Sequence, residues 1–406
     1  MMGTSVAQAI PIAISPILTR LYSPEDFGVL AMFLAITMTL GSVANARYEV
    51  AIMVLRTDDD AINIAALSVI ISTFFSIILL FPAVLLNSQL TSFLGNEEIG
   101  FWLYLVPAVV WLTGLFNVLN YLNIRNCQYR DIAKASVYKS LVMAIFQILI
   151  GVVKSGVSGL IVGQVMSDIA ANYQLSKNVI RYYCLSGIRL KKLYALGKKY
   201  KDYPLHNTPA TLLDNAALQM PFLLLPKLFS LVVGGQFLLA QRMVGLPSSL
   251  ISKPISQVFF QTMTEKNNNG EKTLPFLKLT LKRLFLIALP ITIAVYIVSP
   301  FLFRIVFGEE WTFSGTIAQY IVIAFFIRFI VSTVSPVFSV SDNLKIGAAW
   351  KYLYFISTGL IFLYSFLSSM NLENFLILFV FHEYVLYLLY LYLIFKVTKQ
   401  MDEVVK

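Results

Sequence analysis

AINIAALSVIISTFFSIILLFPAVLL, Ala61 to Leu86, contains no charged side chain. As a helix rising 1.5 Å per residue it exceeds the ~30 Å hydrocarbon core of a bilayer. Its apolar residues come in unbroken runs and do not alternate, so it reads as a spanning helix and not as a strand of an outer-membrane barrel. The same texture extends outward through the chain. Of 406 residues, 58% are hydrophobic and 13% charged, with a mean hydropathy of +0.76. Soluble domains average about 45–50% apolar and about 25% charged residues. This composition excludes a soluble enzyme carrying a single anchor. Cys127, Cys184, His206 and His382 are far apart, which leaves neither a disulfide framework nor a metal-ligand spacing.

Apolar runs bounded by charges or turn residues predict twelve spans, near 3–21, 27–50, 61–86, 101–124, 132–153, 157–176, 208–230, 232–262, 284–307, 314–340, 349–370 and 375–395. Loops that follow even-numbered spans, together with the C-terminus, hold 24 of the 31 lysines and arginines, Lys134 and Lys139 among them. Basic loops stay cytoplasmic, so both termini are expected on that side of the membrane. The net charge of +10 then reads as topology and attraction to anionic lipid, not as a nucleic-acid surface.

The chain also repeats itself. LTRLYSPEDFG (Leu18–Gly28) returns 207 positions later as LPKLFSLVVGG (Leu225–Gly235), with Leu18/Leu225, Leu21/Leu228, Ser23/Ser230 and Gly28/Gly235 identical. Pro11 and Pro16 lead into the first copy as Pro221 and Pro226 lead into the second. LGNEE (Leu94–Glu98) after the third span is matched by FGEEW (Phe307–Trp311) after the ninth. An even number of spans per half makes the repeat parallel, about an axis normal to the membrane. The expected architecture is all-α, two six-helix lobes over 1–180 and 207–406, joined by a basic cytoplasmic linker at 181–206. Duplicated lobes of this kind rock around a midplane site in transporters. Within the first copy, Ser23 is placed to cap a helix with Pro24 at its first position and Glu25 and Asp26 at its positive end. The run RLKKLYALGKKYK (Arg189–Lys201) reads as an amphipathic surface helix on the inner leaflet.

PILTRLYSPEDFG (Pro16–Gly28), KKYKDYPLHNTPATLLDNAALQMPFLLL (Lys198–Leu225), GLPSSLISKPISQVFF (Gly245–Phe260) and FGEEW resemble, in combination, the bacterial Wzx-type O-antigen and capsule flippases. That family belongs to the superfamily of multidrug and toxin extruders. The resemblance implies a MATE-like fold of twelve helices around a central cavity. It also implies translocation of undecaprenyl-diphosphate-linked oligosaccharide to the outer leaflet, with a polysaccharide polymerase and a chain-length regulator as candidate partners. One departure is that Met1 and Met2 lead straight into the first span, where such proteins usually carry around ten residues.

Binding a diphosphate and a sugar chain inside a bundle calls for cations and amides, and intramembrane charge is expensive enough to be functional by default. Arg242 and Lys253, eleven residues apart, return to within about 20° of one helical face, although Pro247 and Pro254 are expected to interrupt the helix. Arg47 occupies the matching position of the other lobe, and Arg328 lies in the middle of the tenth span, facing either the cavity or a buried acid. For Arg47 and Lys253 the plainer reading is helix-end residues snorkelling to headgroups. Gln164, Asp168 and Asn172 form a polar stripe at i, i+4, i+8, and Asp214, Asn215 and Gln219 form a second cluster. The amides suit sugar hydroxyls, while Asp168 and Asp214 are candidates for coupling to H+ or Na+; packing between helices explains such residues equally well. Asn117, Asn120 and Asn123 carry the same two readings. His382 and Glu383 are adjacent and so point about 100° apart, and the nearby tyrosines read as interhelical packing.

Rival functions are a membrane polysaccharide polymerase or acyltransferase and a drug exporter on the same fold. The longest expected outer loop, 87–100, lacks lysine and arginine, unlike the arginine-bearing outer loop of such polymerases. Neither histidine sits with an evident nucleophile. No phosphate-cradling glycine loop is present, so this chain alone does not use ATP, and no cofactor is expected. The intramembrane charge is basic, which favours an anionic cargo over a cationic drug.

Overall fold

The computed structural model describes residues 2–154, 156–183, 187–341 and 343–404; residues 184–186 of the expected linker, Cys184 included, lie outside them. The chain divides into two compact units, Met1–Gly235 and Gln236–Lys406. The first contains α1 (Met2–Ala13), α2 (Ser15–Leu21), α3 (Pro24–Gly41), α4 (Tyr48–Ala51), α5 (Asp58–Leu85), α6 (Asn87–Leu94), α7 (Gly100–Leu103), α8 (Val106–Arg125), α9 (Tyr129–Val153), α10 (Ser158–Tyr182), α11 (Leu190–Lys199) and α12 (Thr208–Leu228). Next comes α13 (Leu231–Asn268), whose first turn belongs to the first unit; the second holds the rest of it with α14 (Leu274–Phe307), α15 (Thr312–Val334), α16 (Val337–Val340), α17 (Leu344–Leu367) and α18 (Leu372–Val404). Among the described residues there is no β-strand. A helix lies at each of the twelve segments expected from the sequence.

Seven described segments are long and apolar enough to cross a membrane, from Pro24–Gly41 and Asp58–Leu85 through to Leu372–Glu403, and Val6–Leu21 and Leu231–Leu246 are shorter apolar helices. Their outward faces are greasy: Phe74 and Leu85 on α5, Val153 on α9 and Phe301 on α14 are all exposed. Contiguous apolar surface on that scale belongs in lipid. The protein is a multi-pass helical membrane protein.

Local chemistry explains where helices start. Ser23 Oγ accepts from the Asp26 amide (3.2 Å) and the Asp26 carboxylate accepts from the Ser23 amide (3.0 Å), a complete capping box in front of Pro24. The repeat partner Ser230 does the same work for α13, accepting from the Val233 amide (3.3 Å). The repeated glycines are used too. A Cβ on Gly28 would lie 2.3 Å from the Leu231 carbonyl oxygen, and one on Gly235 would lie 1.9 Å from that of Pro24. Pro24 and Leu231 are themselves 207 positions apart, so the two motifs cross through matching contacts, backbone against backbone. Helix α12, just before the second motif's crossing, packs along α3. For that reason α12 belongs to the first compact unit although the sequence repeat begins a new copy near it.

In the first unit α9 lies along α10, α5 along α8 and α1 along α9; in the second, α14 lies along α15 and α15 against α18. Two expectations need correction. Lys139, counted with the cytoplasmic loop residues, lies ten residues inside α9, about 15 Å from its start. Helix α13 runs unbroken through Pro247 and Pro254, each of which removes one donor without ending the helix.

Candidate functional site

The charges expected inside the membrane fall into two groups. In the first unit, each cation that the fold buries meets a carboxylate. Helix α3 ends at Gly41, and the chain then turns through Ala46 and Arg47, both left-handed (φ 48° and 61°). That turn brings Arg47 Nη1 to 3.2 Å from Glu49 Oε1, with the Glu49 side chain 1% exposed and that of Arg47 26%. Arg47 Nε and Glu49 Oε2 are buried without a further partner among the described residues. Lys139 Nζ lies 2.6 Å from Asp168 Oδ1, tying α9 to α10, and stands over the Phe116 ring. Asp168 Oδ2 also receives the Gln164 amide at 3.4 Å. Asn172 donates to the Leu112 carbonyl of α8 at 2.9 Å, and its own Oδ1 is buried without a partner among the described residues. The polar stripe of α10 therefore sits at a three-helix junction, where unsatisfied polar groups would be costly. Asn123 behaves similarly: it donates to the Leu119 and Leu175 carbonyls and accepts from Asn178.

On α12, Asn215 donates back to the Thr211 carbonyl (2.9 Å), and Gln219, one turn on, shares its face. Both are half-buried, as is Asp214, which points to a different side of the helix. The basic run forms α11, held to the start of α5 by ion pairs from Lys192 to Asp59 and Asp60, with Leu193 and Leu196 buried. Asp59 and Asp60 hold the Lys192 ammonium above the ordinary lysine pKa.

The second unit is arranged differently. Arg242 is half-buried in α13 and Lys253 is exposed about 16 Å further along the same face. Among the described residues no carboxylate pairs with either. Arg328 in α15 lies over the Phe325 ring and is electrostatically coupled to Glu383, a 2%-exposed acid of α18 that accepts from Tyr354 Oη at 2.6 Å. His382, expected to point about 100° away from Glu383, faces the same helix α17, with Nε2 2.9 Å from Ser357 Oγ and its ring centroid 6.2 Å from that of Tyr354. Tyr387 and Tyr390 pack on Trp350, with ring centroids 5.3 and 4.2 Å away. Sequence reasoning missed Lys139, Glu49 and Glu383 as interior ion-pair members. The available signal was Lys139 lying inside an apolar run, five residues after Lys134 and fifteen before Lys154.

These features define a class: a multi-pass helical membrane protein with two cations on one face of α13 that no carboxylate pairs among the described residues. Over 99% of this chain and 96% of the other, the fold is similar to an inward-facing multidrug resistance MATE family transporter of the MOP superfamily (TM-score 0.78, 12% identity). It is similar to an outward-facing member over 100% and 95% of the two chains (TM-score 0.57, 13% identity). Residues 17–315 match the profile of the family described as polysaccharide biosynthesis protein, and the chain belongs to that family. Among curated relatives, the succinoglycan biosynthesis transport protein ExoT of Rhizobium meliloti (strain 1021) is 18% identical over 307 residues, 74% of this chain. The chain spans 59% of ExoT's length. An uncharacterized membrane protein in the cps region of Klebsiella pneumoniae is 20% identical over 345 residues, 84% of this chain and 69% of that one.

Proposed function

We propose that this chain is a flippase of the bacterial inner membrane that moves undecaprenyl-diphosphate-linked oligosaccharide repeat units to the outer leaflet for surface polysaccharide synthesis. The observation that carries the reading is Arg242 with Lys253: two cations on one face of α13 with no acid among the described residues to neutralise them. A diphosphate is the complementary ligand, because charge-assisted contacts to phosphate oxygens offset the desolvation of a membrane-embedded guanidinium. Amides such as Asn215, Gln219 and Gln164 offer donors and acceptors to sugar hydroxyls. In this reading the sequence repeat marks two lobes, 1–180 and 207–406, that alternate access around the bound headgroup, with both termini cytoplasmic. An ion gradient biases the cycle through Asp168 or Asp214, carrying H+ or Na+. Polymerase and chain-length regulator act on the exported unit.

The test is deletion of the gene in its host, with complementation by the intact chain and by Arg242→Ala at equal expression. Lipid-linked repeat units held on the cytoplasmic leaflet, surface glycan lost, and rescue by the intact chain only is the expected outcome. Unchanged surface glycan in the deletion strain overturns the reading, and full rescue by Arg242→Ala removes the cationic face from the mechanism.

A further inference from the structure

A cavity of about 400 Å³ in the first unit is unlike the polar stripes described above. Ile36 and Leu40 of α3, Leu94 at the end of α6, and Met220 and Leu224 of α12 line it. It follows α12 from Ala216 to Lys227, eleven residues or about 16 Å, which matches one leaflet's half of a ~30 Å hydrocarbon core. At its Lys227 end the apolar wall stops at a cation. The Lys227 ammonium donates to the Phe93 carbonyl at the C-terminus of α6 (2.5 Å) and lies over the Phe93 ring at 4.4 Å. Gly95, left-handed at φ 72°, leaves room for the lysine stem: a Cβ there would lie 3.3 Å from Lys227 Cγ. Lys227 has no acidic partner among the described residues, whereas Arg304, on the same side of the expected topology, pairs with Glu309 at 2.7 Å. One further polar atom faces no partner: Thr39, on the wall near Leu40, buries its hydroxyl without a hydrogen bond among the described residues.

We infer that this groove holds the phosphate-proximal end of the isoprenoid tail of a single-chain lipid phosphate, with the phosphate on Lys227 and the rest of the tail in the bilayer. A single groove one leaflet deep takes one chain, so a diacyl phospholipid would leave its second chain outside. Lysine binds phosphate as a point charge. With the termini cytoplasmic, Lys227 faces the outer leaflet, and the occupant is the carrier after translocation. This inference rests on the proposed function for the identity of the carrier, but its geometry does not.

The experiment places p-benzoylphenylalanine at position 220 of the full chain in phosphatidylethanolamine proteoliposomes containing tritiated undecaprenyl monophosphate. The expected result is a light-dependent crosslink that excess unlabelled undecaprenyl monophosphate competes away and phosphatidylglycerol does not. Lys227→Gln is expected to lower the crosslink about tenfold, and Ala216→Trp, which fills the deep end, to abolish it with the chain still monodisperse. Equal crosslinking in Lys227→Gln, or equal competition by phosphatidylglycerol, overturns the inference and leaves Lys227 as a cap of α6 beside bulk lipid. Flipping of lipid-linked oligosaccharide is measured in the same vesicles. A wild-type chain that crosslinks as expected but does not flip keeps the site and removes the proposed function; one that flips but crosslinks without dependence on Lys227 does the reverse.

Discussion

Replacing Gly235 by alanine should be among the most damaging single-methyl changes in this protein. The added Cβ would sit 1.9 Å from the Pro24 carbonyl oxygen and 2.8 Å from the Gly28 amide nitrogen. Ordinary contact begins near 3.4 Å, so the two backbones must separate by about 1.5 Å. No rotamer change relieves the clash, because both opposing atoms are main chain. Overpacking that moves only side chains typically costs 1–3 kcal/mol; here a helix crossing itself must open, and its neighbours lose dispersion contacts along the seam. The expected loss is about 3 kcal/mol or more, seen as a fall of several degrees in melting temperature in detergent or nanodiscs. Gly28→Ala, whose Cβ would meet the Leu231 carbonyl at 2.3 Å from its oxygen and 2.9 Å from its carbon, should cost less. The two changes act on one crossing: once it has opened for one methyl, the second is partly accommodated. The double variant should therefore lose less than the sum of the singles. A wild-type melting temperature for Gly235→Ala, or strict additivity in the double variant, would refute the crossing as described.

Three further outcomes are expected. Lys139→Met strands the Asp168 carboxylate, whose side chain is 7% exposed, and should destabilise by about 3 kcal/mol, the low end for a broken buried pair since Lys139 itself is a third exposed; adding Asp168→Asn should restore most of the loss in the same melting assay. Ser23→Ala removes one side of the capping box and should cost about 1 kcal/mol, with Ser230→Ala at the repeat position costing less because only one cap bond is seen there. Because Asp59 and Asp60 raise the Lys192 pKa, their hold on α11 is complete below pH 10.5 and fades as pH rises through the higher folded value; trypsin cleavage in 189–201 should accelerate only above that point, and acceleration between pH 8 and 10 would contradict it.

How much of this was legible follows from the range over which each signal acts. Span positions and the cap at Ser23 depend on residues within a turn or two, and the sequence carries them directly. The 207-residue register is longer in range, but it is written twice, and the crossing of Gly28 with Leu231 and of Gly235 with Pro24 shows what the repetition is for. Partners of buried charges are neither local nor repeated. Nothing near Lys139 says that its face of α9 turns to Asp168, and Arg47 finds Glu49 only because Ala46 and Arg47 turn left-handed where a continuous helix was expected. For His382 and Glu383 the helical angle suggested divergence, yet both reach α17, where the Tyr354 hydroxyl donates to Glu383 and its ring lies beside His382; that convergence comes from how α17 packs on α18.

The same distinction bears on which cations are available to a ligand. A cation locked to a buried carboxylate has its field largely cancelled, and recruiting it to a phosphate would leave the carboxylate stranded in a low-dielectric interior. Arg47 with Glu49 and Lys139 with Asp168 are in that state, and Arg328 shares its field with Glu383. Arg242 and Lys253 bear no such debt, since no described carboxylate must be abandoned when an anion arrives. If the proposed function holds, a substrate phosphate engages α13 first. The neutralised pairs can contribute afterwards only if their acids take up a proton or a cation, which is where a coupling ion would act on this fold.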